Sequence, residues 1–236
     1  MSKSLGKRWD IQRLRQSLTK RIERQWEEVF FLFLFVLLCL QVFDFIDNIK
    51  NVESSAGDAI VVFATMDGFI LNYFAYGTIP LIAVPLVALI LSGKKSRAIR
   101  RYLDALGIYI VVRMFIQLFG LNLLLFDAVT PGLTLITQLL LFLPYSLLVW
   151  GWIYWRLDEF AATNDSRYFR LDCERDTPRP IDYLVASFST VFSASISAIK
   201  GRSARAKVLI IIHGFFVYNL MALMLSRAVA LVQAKS

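Results

Sequence analysis

Long apolar runs constrain the fold of this chain more than any other feature of its sequence. A helix needs about twenty consecutive apolar residues to cross the hydrocarbon core of a bilayer. Runs close to or above that length occupy residues 29–46, 72–92, 102–126, 132–155 and 208–232. The 236 residues are 57% hydrophobic with a mean hydropathy of +0.58, which exceeds the usual composition of soluble domains. The sequence therefore predicts an all-α integral membrane protein with five or six transmembrane helices.

Basic residues give the chain a net charge of +8 and cluster beside the apolar runs, at Lys3–Arg24, Lys94–Arg101 and Lys200–Lys207. Positive charge that flanks transmembrane helices marks the cytoplasmic side of a membrane. We therefore expect a multi-pass protein of the cell (inner or plasma) membrane with a cytoplasmic N-terminus. The lipid bilayer explains this charge better than nucleic acid does, so no nucleic-acid partner is predicted.

Sequence motifs for catalysis or for metal binding are absent. The chain has no Gly-rich phosphate loop, no HExxH and no GxSxG, the motifs of common nucleotide-binding and hydrolytic sites. A single histidine, His213, provides neither a histidine-pair metal site nor a Ser-His-Asp triad. The two cysteines, Cys39 and Cys173, lack metal-ligand spacing. We predict neither an enzymatic activity nor a cofactor.

Composition divides the chain into four parts. Residues 1–28 form a basic helix with one apolar stripe, predicted to lie at the cytoplasmic membrane surface or to pack on the rest of the protein. Residues 29–155 hold the N-terminal transmembrane helices, residues 156–181 form a polar link, and residues 182–236 form a C-terminal unit. The stretch 58–92 fits either one crossing preceded by an interfacial helix or two short crossings.

The C-terminal unit begins with a stretch, Asp182–Ile199, that is apolar but rich in hydroxyl groups. The hydroxyl residues are Ser187, Ser189, Thr190, Ser193, Ser195 and Ser197. Each hydroxyl that faces hydrocarbon needs a hydrogen-bond partner, so this composition does not suit a lipid-facing helix. It indicates a re-entrant helix whose C-terminal end lines a wet path.

The start of this stretch, Asp182-Tyr-Leu-Val-Ala-Ser-Phe-Ser-Thr, resembles the pore helix of tetrameric potassium channels, whose pattern is approximately D-x-L-Y-F-S-F-x-T. On that pattern the residues that replace the T-V-G-Y-G filter are Ser193, Ala194, Ser195, Ile196 and Ser197. Residues 178–232 are more closely similar to an uncharacterised family of bacterial membrane proteins, domain of unknown function 1345. That family shares the pore-helix-like start, a hydroxyl-containing segment, a basic link and a final helix with His and Asn.

The resemblance implies a homo-oligomer, with a tetramer favoured, built around the pore-helix-like unit. Asp182 would begin the pore helix as a candidate N-cap, and Thr190 and Phe192 would support it. The final span would be the inner helix, with a surface formed by His213, Gly214, Tyr218 and Asn219.

Serines replace both filter glycines, at Ser195 and Ser197. Filter glycines adopt left-handed backbone conformations, which are costly for serine. The expected lining of the path is therefore hydroxyl groups rather than a ladder of carbonyl groups. The implied function is an atypical oligomeric ion channel with monovalent cations as candidate permeants. The alternative is a non-conducting membrane scaffold or partner subunit that retains the channel-like fold.

The sequence does not determine on which side of the membrane this C-terminal unit begins. With a cytoplasmic N-terminus and one crossing in each of the first four runs, the chain is back in the cytoplasm before Asp182. Potassium channels have the corresponding segment outside. Either the stretch 58–92 crosses twice, or the pore-helix-like stretch is inverted or does not re-enter.

Two polar residues within the spans have more than one interpretation. Arg113 is costly in a bilayer and is therefore a functional candidate, although a structural pair with Asp104, Asp67 or Asp44 is the favoured interpretation. A hydrogen-bonded position between helices is favoured for His213 over a pH-sensing position in a pore.

Aromatic residues crowd the end of the run 132–155, at Trp150, Trp152, Tyr154 and Trp155. Tryptophan and tyrosine are enriched where transmembrane helices meet the headgroup layer. We therefore expect these four side chains to form an interfacial anchor.

Overall fold

The protein folds into a bundle of helices with one small sheet. Its computed structural model describes residues 25–49, 65, 79–93, 96–125, 132–162, 167–173, 177–192 and 199–233. The helices are α1 (Trp26–Ile49), α2 (Val84–Ser92), α3 (Arg97–Leu125), α4 (Gly132–Ala162), α5 (Pro180–Phe192) and α6 (Ala204–Gln233). A π-helical turn, Ile79–Ala83, precedes α2, and the strands are β1 (Phe169–Leu171) and β2 (Ile199–Gly201). The predicted amphipathic helix falls mainly on residues 1–24, outside the described residues.

Three helices in the described part of the chain are long and apolar enough to cross a membrane. They occupy Arg97–Asn122, Ile136–Ala162 and Ala204–Val229, and a shorter apolar helix occupies Pro80–Ser92. The prediction of a helical membrane protein is confirmed to this extent. All three helices extend beyond the apolar runs. In the first two, charged residues of the added turns, such as Arg100 and Arg156, form ion pairs within the bundle.

Helix α4 is the centre of the bundle and packs against α1, α3, α5 and α6. Trp150, Trp152 and Tyr154 are buried on it, so the predicted interfacial anchor is wrong for these three residues. The faces of α4 that contact these four helices bury its large aromatic side chains in protein contacts. Trp155 is half-buried and packs edge-on against Trp26, with ring centroids 4.4 Å apart.

One end of the bundle, here called the charged end, contains the start of α1, the end of α2, the start of α3 and the end of α4. Glu27 and Arg100 form an ion pair there at 2.7 Å. The Gln25 amide donates a hydrogen bond to the Leu89 carbonyl at 3.0 Å, and Gly93 ends α2 with a left-handed φ of 61°. Helices α1 and α3 therefore run away from the charged end, while α2 and α4 run towards it. Helix α6 also starts near this end, because it follows β2, which pairs with the strand that follows the end of α4.

The two strands join the chain after α4 to the chain before α6. They pair antiparallel, with Phe169 opposite Gly201 and Leu171 opposite Ile199. The Arg202 amide extends the ladder by donating to the Tyr168 carbonyl at 2.8 Å. A Cβ on Gly201 would lie 2.8 Å from the Lys207 amide nitrogen, so a residue without a side chain allows β2 to pack directly on α6.

Candidate functional site

Asp158, near the end of α4, holds the start of the pore-helix-like unit in place. Its buried carboxylate accepts a hydrogen bond from the Phe169 amide at 3.0 Å and another from the Tyr183 hydroxyl at 2.5 Å. Burial, reinforced by the hydrogen bond to Asp158, raises the pKa of Tyr183 above its ordinary value. One side chain thus connects α4, β1 and α5, a role that sequence reasoning missed because Asp158 lies in a stretch expected to be an irregular link.

Helix α5 runs back along α4, antiparallel to it, from the charged end towards the middle of the bundle. The Ser187 hydroxyl donates to the Leu147 carbonyl at 2.7 Å. One turn closer to the charged end, a Cβ on Gly151 would lie 2.9 Å from the Leu184 Cα. The absence of a side chain at Gly151 therefore lets the two helix backbones approach closely, as small residues do in membrane bundles.

The hydroxyl groups of α5 are satisfied by backbone carbonyls. Ser189 donates to the Ala186 carbonyl at 2.8 Å and Thr190 to the Ser187 carbonyl at 2.7 Å. Together with the bond from Ser187 to α4, this removes the cost of placing these three hydroxyls in an apolar environment.

Asp182 lies in the first turn of α5 and not at its N-cap. The helix begins at Pro180, a residue favoured in the first turn because its missing N–H has no partner there. The Asp182 carboxylate accepts from the Arg179 amide at 2.7 Å, and the Asp182 amide donates to the Arg179 carbonyl at 2.9 Å. Arg179 is therefore the capping position, and Asp182 reaches back to it as the acidic partner of a capping box does.

The predicted pore-lining residues Ser193, Ala194, Ser195, Ile196 and Ser197 lie outside the described residues. Phe192 is the last residue of α5, and its side chain is likewise outside the described part. The structure therefore describes the helix that leads to the predicted lining.

The predicted inner-helix residues are divided between two faces of α6. His213 is buried, accepts or donates a hydrogen bond with the Tyr154 hydroxyl at 2.8 Å, and stacks on Trp150 with ring centroids 4.6 Å apart. This is the hydrogen-bonded position between helices that the sequence favoured. Gly214 is half-buried, whereas Tyr218 is 73% exposed on the outer face.

Asn219 connects α6 to α3 at the end of the bundle opposite the charged end. Its side-chain amide donates to Asn122 Oδ1 at 3.2 Å, and Asn122 Nδ2 donates to Asn219 Oδ1 at 3.0 Å. Such reciprocal amide pairs stabilise helix association in membranes. The sequence singled out Asn219 but not Asn122, its partner 97 residues earlier.

Buried polar residues accompany Arg113 within the spans. Arg113 and Gln117 are buried on α3, and Gln138 is buried on α4. Neither amide atom of Gln138 forms a hydrogen bond with a described residue, and the same holds for Gln117 Oε1. Polar groups buried without partners are costly in a bilayer, so Gln117 and Gln138 are functional candidates, as Arg113 is for its charge.

The predicted pairing of Arg113 with Asp104, one of its three candidate partners, is wrong. Asp104 lies nine residues earlier on the same helix, about 13 Å along the axis, which exceeds salt-bridge distance. Asp104 instead forms a bidentate pair with Arg156 at 2.7 and 2.9 Å. The side chains of Asp44 and Asp67 are outside the described residues.

An ion-pair network at the charged end was not predicted. Arg100 contacts Glu27 at 2.7 Å and Glu159 at 2.5 Å, and Arg156 contacts Asp104 and Glu159. Burial raises the pKa of Glu27, although Arg100 opposes this effect. The spacing of Arg100 and Asp104, and of Arg156 and Glu159, was the available sequence signal, since such neighbours share a helix face.

Comparisons with known proteins identify no relative of this chain. No family model matches it, and no curated protein or solved structure matches it. Within the described ranges, no group of three or more His, Cys, Asp or Glu side chains could hold a metal ion.

Proposed function

We propose that this protein is a channel-like membrane protein in which α5 and the residues after it form a re-entrant unit. Copies of the chain assemble around this unit and conduct small monovalent cations passively. The observation that supports the proposal is the attachment of both ends of the unit at the charged end. Asp158 holds both β1 and Tyr183 of α5, and β2, which begins seven residues after α5 ends, pairs with β1.

The length of α5 fits a helix that enters a membrane without crossing it. Its 13 residues extend about 18 Å from first to last Cα, roughly half the thickness of a bilayer with its headgroups. Seven Cα-to-Cα steps from Phe192 to Ile199 can cover about 25 Å. The chain is thus long enough to return from that depth to the sheet.

The C-terminal end of α5, which lies within the membrane in this proposal, favours cations. The last four carbonyls of a helix have no partner within the helix, and the C-terminal end of the helix dipole is negative. Carbonyls at membrane depth need water, ions or protein donors, because lipid tails supply none. Hydroxyl residues Ser193, Ser195 and Ser197 follow directly, as the resemblance to pore-helix units implies.

Tyr218 supports assembly into an oligomer. It lies near the midpoint of the span Ala204–Val229, is 73% exposed, and its hydroxyl donates no hydrogen bond to a described residue. A phenolic hydroxyl at that depth is costly against lipid tails and usually finds a partner. A second copy of the chain would cover this face of α6 and supply an acceptor.

The charged end is the cytoplasmic end in this proposal. Its exposed basic residues include Arg97, Arg101, Lys200, Arg202, Arg205 and Lys207, and excess positive charge favours the cytoplasm. Since α1 and α5 both start at this end, the unit enters the membrane from the cytoplasmic side. It is then inverted relative to potassium channels, one of the alternatives that the sequence left open.

Cysteine labelling tests the re-entrant unit. In a background without native cysteines, Ser195→Cys should react with a small membrane-impermeant thiol reagent from the cytoplasmic side only, as Arg205→Cys does. Val36→Cys, exposed on α1, is the lipid-facing control and should stay unreactive. Reaction of Ser195→Cys from neither side, or from the opposite side only, would contradict the proposal.

Flux measurements separate a channel from the alternative, a non-conducting scaffold or partner subunit. The bonding of Ser187, Ser189 and Thr190 to backbone carbonyls is compatible with that alternative, because it leaves these hydroxyls occupied. Purified protein in liposomes should be a homo-oligomer and should dissipate a potassium gradient without an added ionophore. A monomer or dimer without flux would instead support the scaffold.

A further inference from the structure

An apolar groove lies between α3, α4 and α6 on the outside of the bundle. Its volume is about 490 Å³. Its apolar lining includes Ile108, Val112, Phe115, Trp150, Leu209 and Ile212. The bidentate pair of Asp104 and Arg156 borders it at the charged end.

The shape of the groove follows from how α3 and α6 meet. They are in contact away from the charged end, where Phe115 packs edge-on against Phe216 at 5.7 Å and Asn122 pairs with Asn219. Closer to the charged end the groove separates them and leaves Ile108 65% exposed. The groove is thus closed at the middle of the bundle and open towards the charged end.

The length of the groove matches one leaflet of a bilayer. From Asp104 to Phe115 the lining follows twelve residues of α3, whose eleven helical rises extend about 16 Å. Half of the hydrocarbon core is about 15 Å thick. An acyl chain that enters beside Asp104 would therefore end near Phe115 and Trp150.

Positive charge flanks the open end of the groove. Arg101 lies on the same stripe of α3 as Asp104 and Ile108, and Arg205 lies one turn before Leu209 on α6. Side chains at i+3 and i+4 share a helix face, and helical side chains point towards the N-terminus, here the headgroup layer. Both arginines are exposed and neither forms a salt bridge with a described residue.

The charges of the ion-pair network that borders the groove largely compensate one another. The network contains the carboxylates of Glu27, Asp104 and Glu159 and the guanidinium groups of Arg100 and Arg156. The side chains that determine the sign of the charge at the mouth of the groove are therefore Arg101 and Arg205. An occupant with an anionic head and one long apolar chain complements this arrangement.

We propose that the groove binds an anionic phospholipid of the leaflet at the charged end. One acyl chain lies along Ile108 and Val112 down to Trp150, and the phosphate lies between Arg101 and Arg205. Basic pockets between transmembrane helices bind anionic headgroups in this way. This site is separate from the re-entrant unit and does not depend on it.

Quenching of tryptophan fluorescence by brominated lipids tests the site, since Trp150 and Trp152 line the groove. In liposomes that mix a brominated lipid with a plain one, brominated phosphatidylglycerol should quench more than brominated phosphatidylcholine at equal mole fraction. Each arginine near a membrane surface contributes about a fivefold preference for anionic lipid. Arg101→Gln with Arg205→Gln should therefore reduce the preference at least fivefold.

Arg170→Gln is the matched control, because Arg170 is exposed at the charged end but lies on β1 and not on the groove. It should leave the preference unchanged. A second variant, Val112→Phe with Ile108→Phe, fills the groove from its exposed wall and should reduce quenching by both lipids. Equal quenching by the two lipids in the unmodified protein, or a preference that survives loss of both arginines, would overturn the proposal. So would quenching that the filled groove leaves unchanged.

Discussion

Removal of the Asp158 carboxylate should detach α5 and β1 from the end of α4. Asp158 is 2% exposed and accepts from the Phe169 amide at 3.0 Å and the Tyr183 hydroxyl at 2.5 Å. A hydrogen bond to a charged group contributes about 1.5–3 kcal/mol. Asp158→Ala removes two such bonds and leaves two buried donors unpaired, so we expect a loss of about 3–5 kcal/mol in the free energy of unfolding.

Tyr183→Phe removes only one of these bonds and should cost about 1.5–3 kcal/mol. Asp158→Ala and Tyr183→Phe each remove the hydrogen bond between these two side chains. The double variant loses that bond only once. The two single effects should therefore exceed the double effect by about 1.5 kcal/mol or more, which is the coupling energy of the pair.

The measurement is unfolding in mixed dodecyl maltoside and sodium dodecyl sulfate micelles, followed by circular dichroism. Asp172→Ala, an exposed carboxylate beyond β1, is the control and should change stability by less than about 0.5 kcal/mol. Additive effects of Asp158→Ala and Tyr183→Phe would refute the argument. A loss below about 1 kcal/mol for Asp158→Ala would refute it too, since that carboxylate could not then be holding two buried donors.

Two further predictions concern packing and pH. A Cβ on Gly107 would lie 2.1 Å from Trp152 Cη2, so Gly107→Ala should lower stability by about 1–3 kcal/mol, whereas Ala105→Ser on the exposed face should not. Burial and Asp158 raise the pKa of Tyr183, so its stabilising contribution is complete below the unfolded-state pKa of about 10 and is lost as pH rises through the folded-state pKa. Between pH 10 and 11 the unmodified protein should lose about 1 kcal/mol more than Tyr183→Phe; parallel stability curves would contradict this.

The sequence alone predicted helices that are long and apolar enough to cross a membrane, as three described helices are, because the cost of placing a residue in hydrocarbon depends mainly on its own side chain. It also identified Asp182–Ile199 as unsuited to face lipid. Helix α5 begins at Pro180 and not after an N-cap at Asp182, but the hydrogen-bonded, buried His213 agrees with the interpretation that the sequence favoured. Local spacing is sufficient for such features, since they involve neighbouring residues or a single costly group.

Only the tertiary structure shows which apolar residues are buried in protein and which are exposed on the outside of the bundle. Trp150 is buried and Ile108 is 65% exposed, yet both are favourable in hydrocarbon, because lipid tails are as apolar as a protein core. Hydropathy therefore does not distinguish them, as it does in soluble helices. The wrong interfacial anchor at Trp150, Trp152 and Tyr154 has this cause.

Only the fold could also reveal the charged end. Glu27 accepts from Trp152, 125 residues later in the chain, and from Arg100, 73 residues later. The Arg113–Asp104 pair looked plausible from sequence because both side chains lie near one span, but Asp104 binds Arg156 of a different helix. Sequence determines which groups are too costly to leave in lipid, whereas the packing of α3, α4 and α5 determines which partner each one receives.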